Sequence, residues 1–372
     1  MRFLIITHVE HQVNGEDISA YGPYVREMNL WLKHVDEVTL IAPKNNKSKS
    51  LIDLSYNHDN LNFKVIPSVE FTSLKKAFLS VLKIPGILYS IFNACRKADH
   101  IHLRCPGNIG LLGCLVQVSF PKKTKTAKYA GNWDPNTVQP VSYKLQKWLL
   151  SNTFLTKNMT ALVYGDWKNQ TRNIKPFFTA TYKNNERQVP KNRDYSGELK
   201  LVFVGSLVEG KRPLLAIQII EKLNKLGFDI SLDLYGDGVL KADLETYVNE
   251  NNLKSKVRLF GNQKKEVVKD VLKESHFLIL PSKSEGWPKA VAEAMFFGAI
   301  PIATSISCVP YMLGYGNRGV LIDRDLKKAV ETVRLCLDDS ERLKLMSIKA
   351  SQWSQKYTLD VFESEIIKLL KG

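Results

Sequence analysis

Residues 277–304 read FLILPSKSEGWPKAVAEAMFFGAIPIAT. Phe277–Ser282 is a short apolar run of the kind that fills a buried parallel strand. Pro288 is expected at N1 of the following helix, and Gly298 sits just past its end, the usual asymmetry of helix termini. Ile300–Ser305 is apolar and strand-like again. Strand, helix and strand joined by short connections imply a parallel sheet covered by helices. The loop Ser284–Trp287 then lies at the carboxyl edge of that sheet, where open α/β folds bind ligands.

The same alternation runs outward from this stretch. LKLVFVG (199–205), ISLDLYGDG (230–238) and KVRLFGN (256–262) read as strands, with helical patterns at 213–227, 240–252 and 268–275. In the first half, Arg2–Thr7, Val38–Ala42, Ile101–Leu103 and Thr126–Ala130 read as strands. A helical pattern after Gly22-Pro23 places Val25, Met28, Leu32 and Val35 on one face. Residues 183–198, KNNERQVPKNRDYSGE, are polar and carry Pro190 and Gly197, so they are expected to link two domains. The chain reads as two tandem Rossmann-like α/β domains, 1–190 and 196–352, with a cleft between them.

With 44% hydrophobic residues in 372, there is ample material for two cores, which excludes a disordered chain. The five cysteines (Cys95, Cys105, Cys114, Cys308, Cys336) have no CxxC spacing, which argues against a zinc or disulfide framework and for a reducing compartment. The longest uncharged apolar run, Ile109–Phe120, is too short to span a bilayer. MRFLIITHVE reads as a first strand and not as a signal peptide, so the protein is expected to be soluble or peripheral. Residues 1–200 carry 28 Lys and Arg against 15 Asp and Glu, whereas residues 201–372 carry 25 against 22. That asymmetry suggests an anionic partner for the first half. No basic stripe interleaved with aromatics on a nucleic-acid module is present, and neither a P-loop nor a complete GxGxxG occurs. Nucleic-acid binding, ATPase and dehydrogenase readings are set aside on those grounds.

Three elements carry chemistry. The start of the helix after Gly286-Trp287-Pro288-Lys289 offers unpaired N–H groups and a favourable dipole for a phosphate. Glu285 precedes that helix and Glu293 lies inside it, and paired carboxylates suit vicinal sugar hydroxyls. In VGSLVEGKRP (204–213) a strand ends at Gly205, and Lys211-Arg212 precede another helix start, where a Lys can meet a diphosphate. LYGDGVLK (234–241) is a glycine turn after a strand.

Together these elements resemble the retaining glycosyltransferases of family 4, of GT-B fold, within the glycosyl transferases group 1. Glu285 and Glu293 match its E-x7-E motif, and the likeness covers residues 196–350. The resemblance implies that Lys211 contacts the donor diphosphate, Glu285 the transferred sugar and Glu293 the ribose. It places Gly205, Ser206, Arg212, Gly236, Gly261, Asn262 and Gln263 around the nucleotide, with Gly286, Trp287, Pro288 and Lys289 giving backbone N–H groups to sugar and phosphates. It implies a nucleotide-sugar donor, UDP-linked in preference to GDP-linked, a saccharide or lipid-linked acceptor, no metal or other cofactor, and a last helix (about 353–372) that returns to the first domain. A cytoplasmic enzyme of cell-surface polysaccharide or glycolipid synthesis is expected, with an anionic inner membrane face as a candidate peripheral partner; KKAFLSVLKIPGILYSIFNACRK (75–97) has the apolar centre and basic ends of an interfacial helix.

Two departures bear on activity. Ser206 stands where the family often has Arg, and Gly131-Asn132-Trp133 stand where it often has His. Asn132 is kept as an acceptor-side residue, although an amide is no base at neutral pH. A nucleotide-sugar-binding subunit without turnover is the alternative. His100, His102 and Arg104 share a strand face: at the sheet's outer end Arg104 would reach an anionic group, and otherwise the strand is half exposed with its polar groups satisfied. His8, Glu10 and His11 follow the first strand, at the edge expected for an acceptor pocket, and Asp323/Asp325 read as a solvated loop.

Overall fold

The computed structural model describes residues 1–46, 49–50, 52–69 and 73–371; the side chains of Leu74, Lys75 and Lys76 lie outside the described residues. It divides into two α/β units, Met1–Phe178 with Phe362–Gly372, and Thr179–Val361. The boundary falls earlier than expected, and the return to the first unit begins at Phe362, within the helix Leu359–Lys371.

The first unit holds strands β1 (Arg2–Ile6), β2 (His11–Asn14), β3 (Asp17–Tyr21), β4 (Glu37–Pro43), β5 (Asp53–Ser55), β6 (Leu61–Ile66), β7 (His100–Cys105), β8 (Thr124–Tyr129), β9 (Met159–Tyr164) and β10 (Ile174–Phe177). Seven form a parallel sheet in the order β10-β9-β8-β7-β1-β4-β6. The stretch after β1 forms a hairpin: β2 and β3 pair antiparallel about Gly15-Glu16, and β5 adds a third strand. Gly15 takes φ +62°, as a two-residue hairpin turn requires.

His100 and His102 are fully buried, not half exposed. They lie against Phe3, and His102 also meets Trp31, at ring distances of 4.8–5.8 Å. One hydroxyl, Thr126 Oγ1, serves both, at 2.8 Å from His100 Nε2 and 2.9 Å from His102 Nδ1. Arg104 is committed within its own unit, to Glu27 at 3.3 Å and the Tyr24 ring.

The second unit holds β11 (Leu199–Val204), β12 (Ile230–Tyr235), β13 (Val257–Gly261), β14 (Phe277–Leu280), β15 (Ile300–Thr304) and β16 (Val320–Ile322), all parallel in the order β13-β12-β11-β14-β15-β16. The stretch 183–198 is not a linker but part of this unit. Arg193, 6% exposed, donates to the carbonyls of Lys273 (3.0 Å), Phe297 (2.9 Å) and Gly298 (3.1 Å). A buried cation thus satisfies the otherwise orphaned carbonyls at the ends of two helices, Lys265–Glu274 and Lys289–Phe296. On the helix Ser340–Ser354, Ser347, Ser351 and Ser354 recur at four and three residues and donate to Gly298 O, Phe296 O and Ala292 O at 2.6, 3.2 and 2.6 Å. That small, donating face seats the helix Lys289–Phe296 closely.

Candidate functional site

Four loops leave the carboxyl ends of β11, β12, β13 and β14 and are joined by backbone hydrogen bonds. Gly205 N donates to Tyr235 O (3.0 Å), Leu207 N to Asp237 O (2.9 Å), Gly236 N to Gly261 O (2.9 Å) and Lys283 N to Gly210 O (2.8 Å). The approach is close enough to dictate glycine. A Cβ at Gly236, where φ is +146°, would stand 1.9 Å from Gly205 O, and one at Gly238 would stand 2.5 Å from Leu207 O. The turn GDG is therefore more than a connection; it lets backbone touch backbone across two strand ends.

This packing brings Lys211 and Glu285 together from loops 74 residues apart, with Nζ donating to Oε1 at 2.6 Å. The Glu285 side chain is 7% exposed and that of Lys211 30%. An ammonium has three N–H groups, so Lys211 can hold Glu285 and still meet a second acceptor. Arg212, half-buried, takes φ +53° at the N-cap of the helix Pro213–Lys225, and Ser206 is exposed beside it. Asn262 and Gln263 are exposed after β13, where Gln263 donates back to Phe260 O at 2.8 Å.

The loop Gly286–Lys289 is held from behind. Cys308 Sγ donates to Gly286 O at 2.8 Å; burial and then the Glu285 carboxylate push that thiol well up, so it stays protonated and donating. Trp287 stacks on Trp353 at 6.1 Å and meets Tyr357 edge-on at 5.8 Å. Pro288 is the N-cap and not N1, with Lys289 the first helical residue; its extended ψ of 95° suits the position before the first turn. Gly298 takes φ +80° just past the C-terminus, as its spacing predicts.

Glu293 projects from this helix and accepts from Thr181 Oγ1 at 2.7 Å. Burial, and then Glu293, raise the Tyr182 phenol. Neither Thr181 nor Cys308 had a signal in the sequence: a single hydroxyl or thiol far along the chain has no period or motif.

Asn132 stands in the first unit. Its Oδ1 accepts from Asp134 N at 2.9 Å and its carbonyl from Gln139 at 2.6 Å, so the side chain is part of a turn. At the carboxyl edge of that unit's own sheet, His8, Glu10, Asn108 and Tyr143 line a pocket of about 290 Å³. Gly107 makes room for His8, since a Cβ there would meet the imidazole Nδ1 at 2.6 Å. His11 is not in this pocket. It opens strand β2 of the hairpin and is buried, bonded to Tyr56 Oη at 2.8 Å and pushed down to about 4 by burial. Among the described residues no three His, Cys, Asp or Glu side chains are grouped to hold a metal. Asp325 caps the helix Leu326–Leu337 by accepting from Lys328 N at 3.0 Å, which explains the acidic pair without a ligand.

Residues 184–353 match the family described as Glycosyl transferases group 1. An uncharacterized glycosyltransferase of Methanocaldococcus jannaschii is 28% identical over 197 residues, 51% of this chain and 53% of that one, so the match spans about half of the relative's length. Among solved structures, the apo form of the lipopolysaccharide outer core galactosyltransferase WaaB superposes with TM-score 0.71 at 15% identity, over 100% of this chain and 99% of its own. HepE of Anabaena, in complex with UDP and glucose, superposes with TM-score 0.67 at 12% identity over the whole of both chains. At those identities the likeness shows the fold: two Rossmann-like α/β units with parallel sheets, as in GT-B glycosyltransferases.

Proposed function

We propose, from the match of residues 184–353 to the Glycosyl transferases group 1 family, that the protein is a retaining, metal-independent glycosyltransferase of family 4 type. It takes a hexose from a nucleotide-diphosphate sugar, UDP-linked in preference to GDP-linked, and passes it to a hydroxyl of a saccharide or lipid-linked acceptor. Synthesis of a cell-surface polysaccharide or glycolipid is the setting that the name of WaaB supports, and the UDP preference follows the ligand named with HepE.

The single observation that carries this reading is the Lys211–Glu285 pair at 2.6 Å, set among glycine-lined strand ends in the segment that matches the group 1 family. Negative charge grows on a diphosphate as the sugar leaves, and a preorganised ammonium beside two helix N-termini stabilises that charge. Lys211 acts there, helped by Lys289 and Arg212 in place of the cation that Ser206 does not supply. Glu285 orients the sugar, with Lys211 as its hydrogen-bonding partner. Glu293 takes the ribose hydroxyls. Retention follows if the acceptor hydroxyl attacks from the leaving-group face and the departing phosphate receives its proton, a route that asks for no protein base and so tolerates Asn132. Asn132 remains an acceptor-side residue, and the pocket of His8, Glu10, Asn108 and Tyr143 is the acceptor's place in the first unit.

One observation favours the second reading, a binding subunit without turnover: the Asn132 side chain is engaged by its own turn. Release of labelled sugar from UDP- and GDP-sugars, with and without added saccharide, separates the two. Turnover above that of Lys211→Ala supports the enzyme; donor binding without any turnover leaves the subunit.

A further inference from the structure

The helix Leu74–Lys97 has two apolar faces. One is internal: Ser80, Ile87, Ile91, Ala94 and Cys95, none more than 3% exposed, face the core that contains Leu4, Ile6 and Leu103. The other runs Phe78, Leu82, Pro85, Tyr89, Phe92 at steps of four and three residues, and it faces outward, with Phe78 66%, Leu82 63% and Tyr89 71% exposed. A helix on a water-facing surface carries charge there. The section Ala77–Lys97 is long and apolar enough to cross a bilayer, and only 28% of its most apolar window is buried. Its internal face packs on the sheet, so it lies along the unit.

The neighbouring helix Val141–Ser151 repeats the pattern, with Val141 82%, Leu145 38% and Trp148 56% exposed at four- and three-residue steps. Between the two, the helix Asn108–Val116 turns Leu115 outward at 44%. Three helices on one face of a sheet thus present aliphatic and aromatic side chains where polar ones belong.

Charge says what covers them. Residues 71–160 contain thirteen Lys and Arg and two Asp and Glu, a net of +11 out of the chain's +16. Of the two acids, Asp99 is held by Arg2 at 2.7 Å. Lys83, Arg96, Lys97, Lys122, Lys144 and Lys157 are exposed on or beside the three helices. Arg96, Lys97, Lys122 and Lys157 all precede strands β7, β8 and β9, at the amino edge of the sheet; Lys123 Nζ on Arg96 O (3.1 Å) and Asn158 on Pro121 O (3.0 Å) tie these connections together. Lysine is depleted at protein–protein interfaces, whereas apolar insertion combined with several Lys and Arg is the pair of signals that holds a protein on anionic lipid.

We propose that this three-helix face docks flat on an anionic lipid bilayer, with Phe78, Leu82, Tyr89 and Trp148 entering the headgroup–acyl boundary and Lys83, Lys97, Lys122 and Lys144 meeting lipid phosphates. The docking does not depend on glycosyl transfer.

The test is co-sedimentation of the full chain with vesicles of phosphatidylcholine alone and of phosphatidylcholine mixed with phosphatidylglycerol. Binding to the anionic vesicles only, weakening as salt rises, is expected. The variant L82S/Y89S/W148S keeps every charge and is expected to bind at least tenfold more weakly. Lys97→Glu and Lys122→Glu are each expected to cost about fivefold or more on anionic vesicles. All these positions are exposed, so melting temperatures should match the parent's and separate lost docking from lost folding. Equal binding to both vesicles, no binding, or parental binding by the triple-serine variant overturns the proposal. So does dimerisation in sedimentation velocity that the triple-serine variant abolishes, since a second copy then covers the face.

Discussion

The two sheets finish at their carboxyl edges in different ways. In the second unit the loops touch backbone to backbone: Gly236 against Gly205, Gly238 against Leu207. What rises above that floor is one cation–carboxylate pair. In the first unit a β-hairpin follows β1, and the walls are side chains, His8, Glu10, Asn108 and Tyr143 around about 290 Å³. Backbone contact demands glycine and fixes spacing. A pocket walled by side chains demands only that suitable ones arrive from anywhere. The first plan suits a ligand part common to many donors, a diphosphate; the second suits an acceptor specific to one enzyme.

The largest effect expected is on chemistry at the second edge. Lys211→Ala should lower sugar transfer by about 10²–10³-fold, the usual loss when one charge-stabilising donor is removed. Donor affinity should fall less, because the contact strengthens as the sugar leaves. Single-turnover rates and calorimetric binding separate the two; an equal loss in both makes Lys211 a binding residue only.

Next comes the backbone contrast. Gly236→Ala should destabilise the protein by about 3 kcal/mol, since a Cβ 1.9 Å from Gly205 O forces β12 from β11. Gly15→Ala, at φ +62° with nothing within 4 Å, should cost only about 1 kcal/mol of left-handed strain. Urea midpoints for both variants test this ranking.

These glycines mark how far the sequence was readable. Residues 277–304 dictated a strand, a helix and a strand, and the glycines, Lys211 and the two glutamates stood at spacings that backbone contact or helix geometry fixes. Gly15-Glu16, between HQVN and DISAY, is a Gly-x hairpin signal that the sequence itself carries. Residues 183–198 misled for a physical reason. A polar segment without apolar period can still be integral when its one buried cation, Arg193, answers helix carbonyls. Thr181 and Cys308 follow no rule of spacing. Their roles come from tertiary contact alone.

A pH contrast sharpens the comparison further. Burial pushes His100 down to about 4 and His102 well down. The folded form therefore binds fewer protons than the unfolded one. Stability is full above the ordinary histidine value of about 6.5 and is lost as pH falls toward about 4, by on the order of 3 kcal/mol for His100. Thermal melts between pH 7.5 and 4.5 should show the loss, and His100→Gln should flatten it. Parallel curves for parent and variant would assign the acid sensitivity to other groups.

The smallest effect concerns Glu293. Thr181→Ala removes one hydrogen bond of 2.7 Å and should weaken nucleotide binding by about 1 kcal/mol. Glu293→Gln should weaken nucleoside diphosphate and intact donor alike, by on the order of 1–3 kcal/mol, because both carry the ribose. Calorimetry on the two ligands checks that parity.

The account rests on the second unit holding a nucleoside diphosphate at Lys211, and a thermal melt of the full chain with UDP, GDP or ADP tests that most directly. A ligand at a hundred times its dissociation constant adds about 2.7 kcal/mol. The account predicts a raised melting temperature with at least one of the three, UDP before GDP, and a smaller rise for Lys211→Ala at the same concentration. No shift with any of them, or a full parental shift in Lys211→Ala, would contradict it.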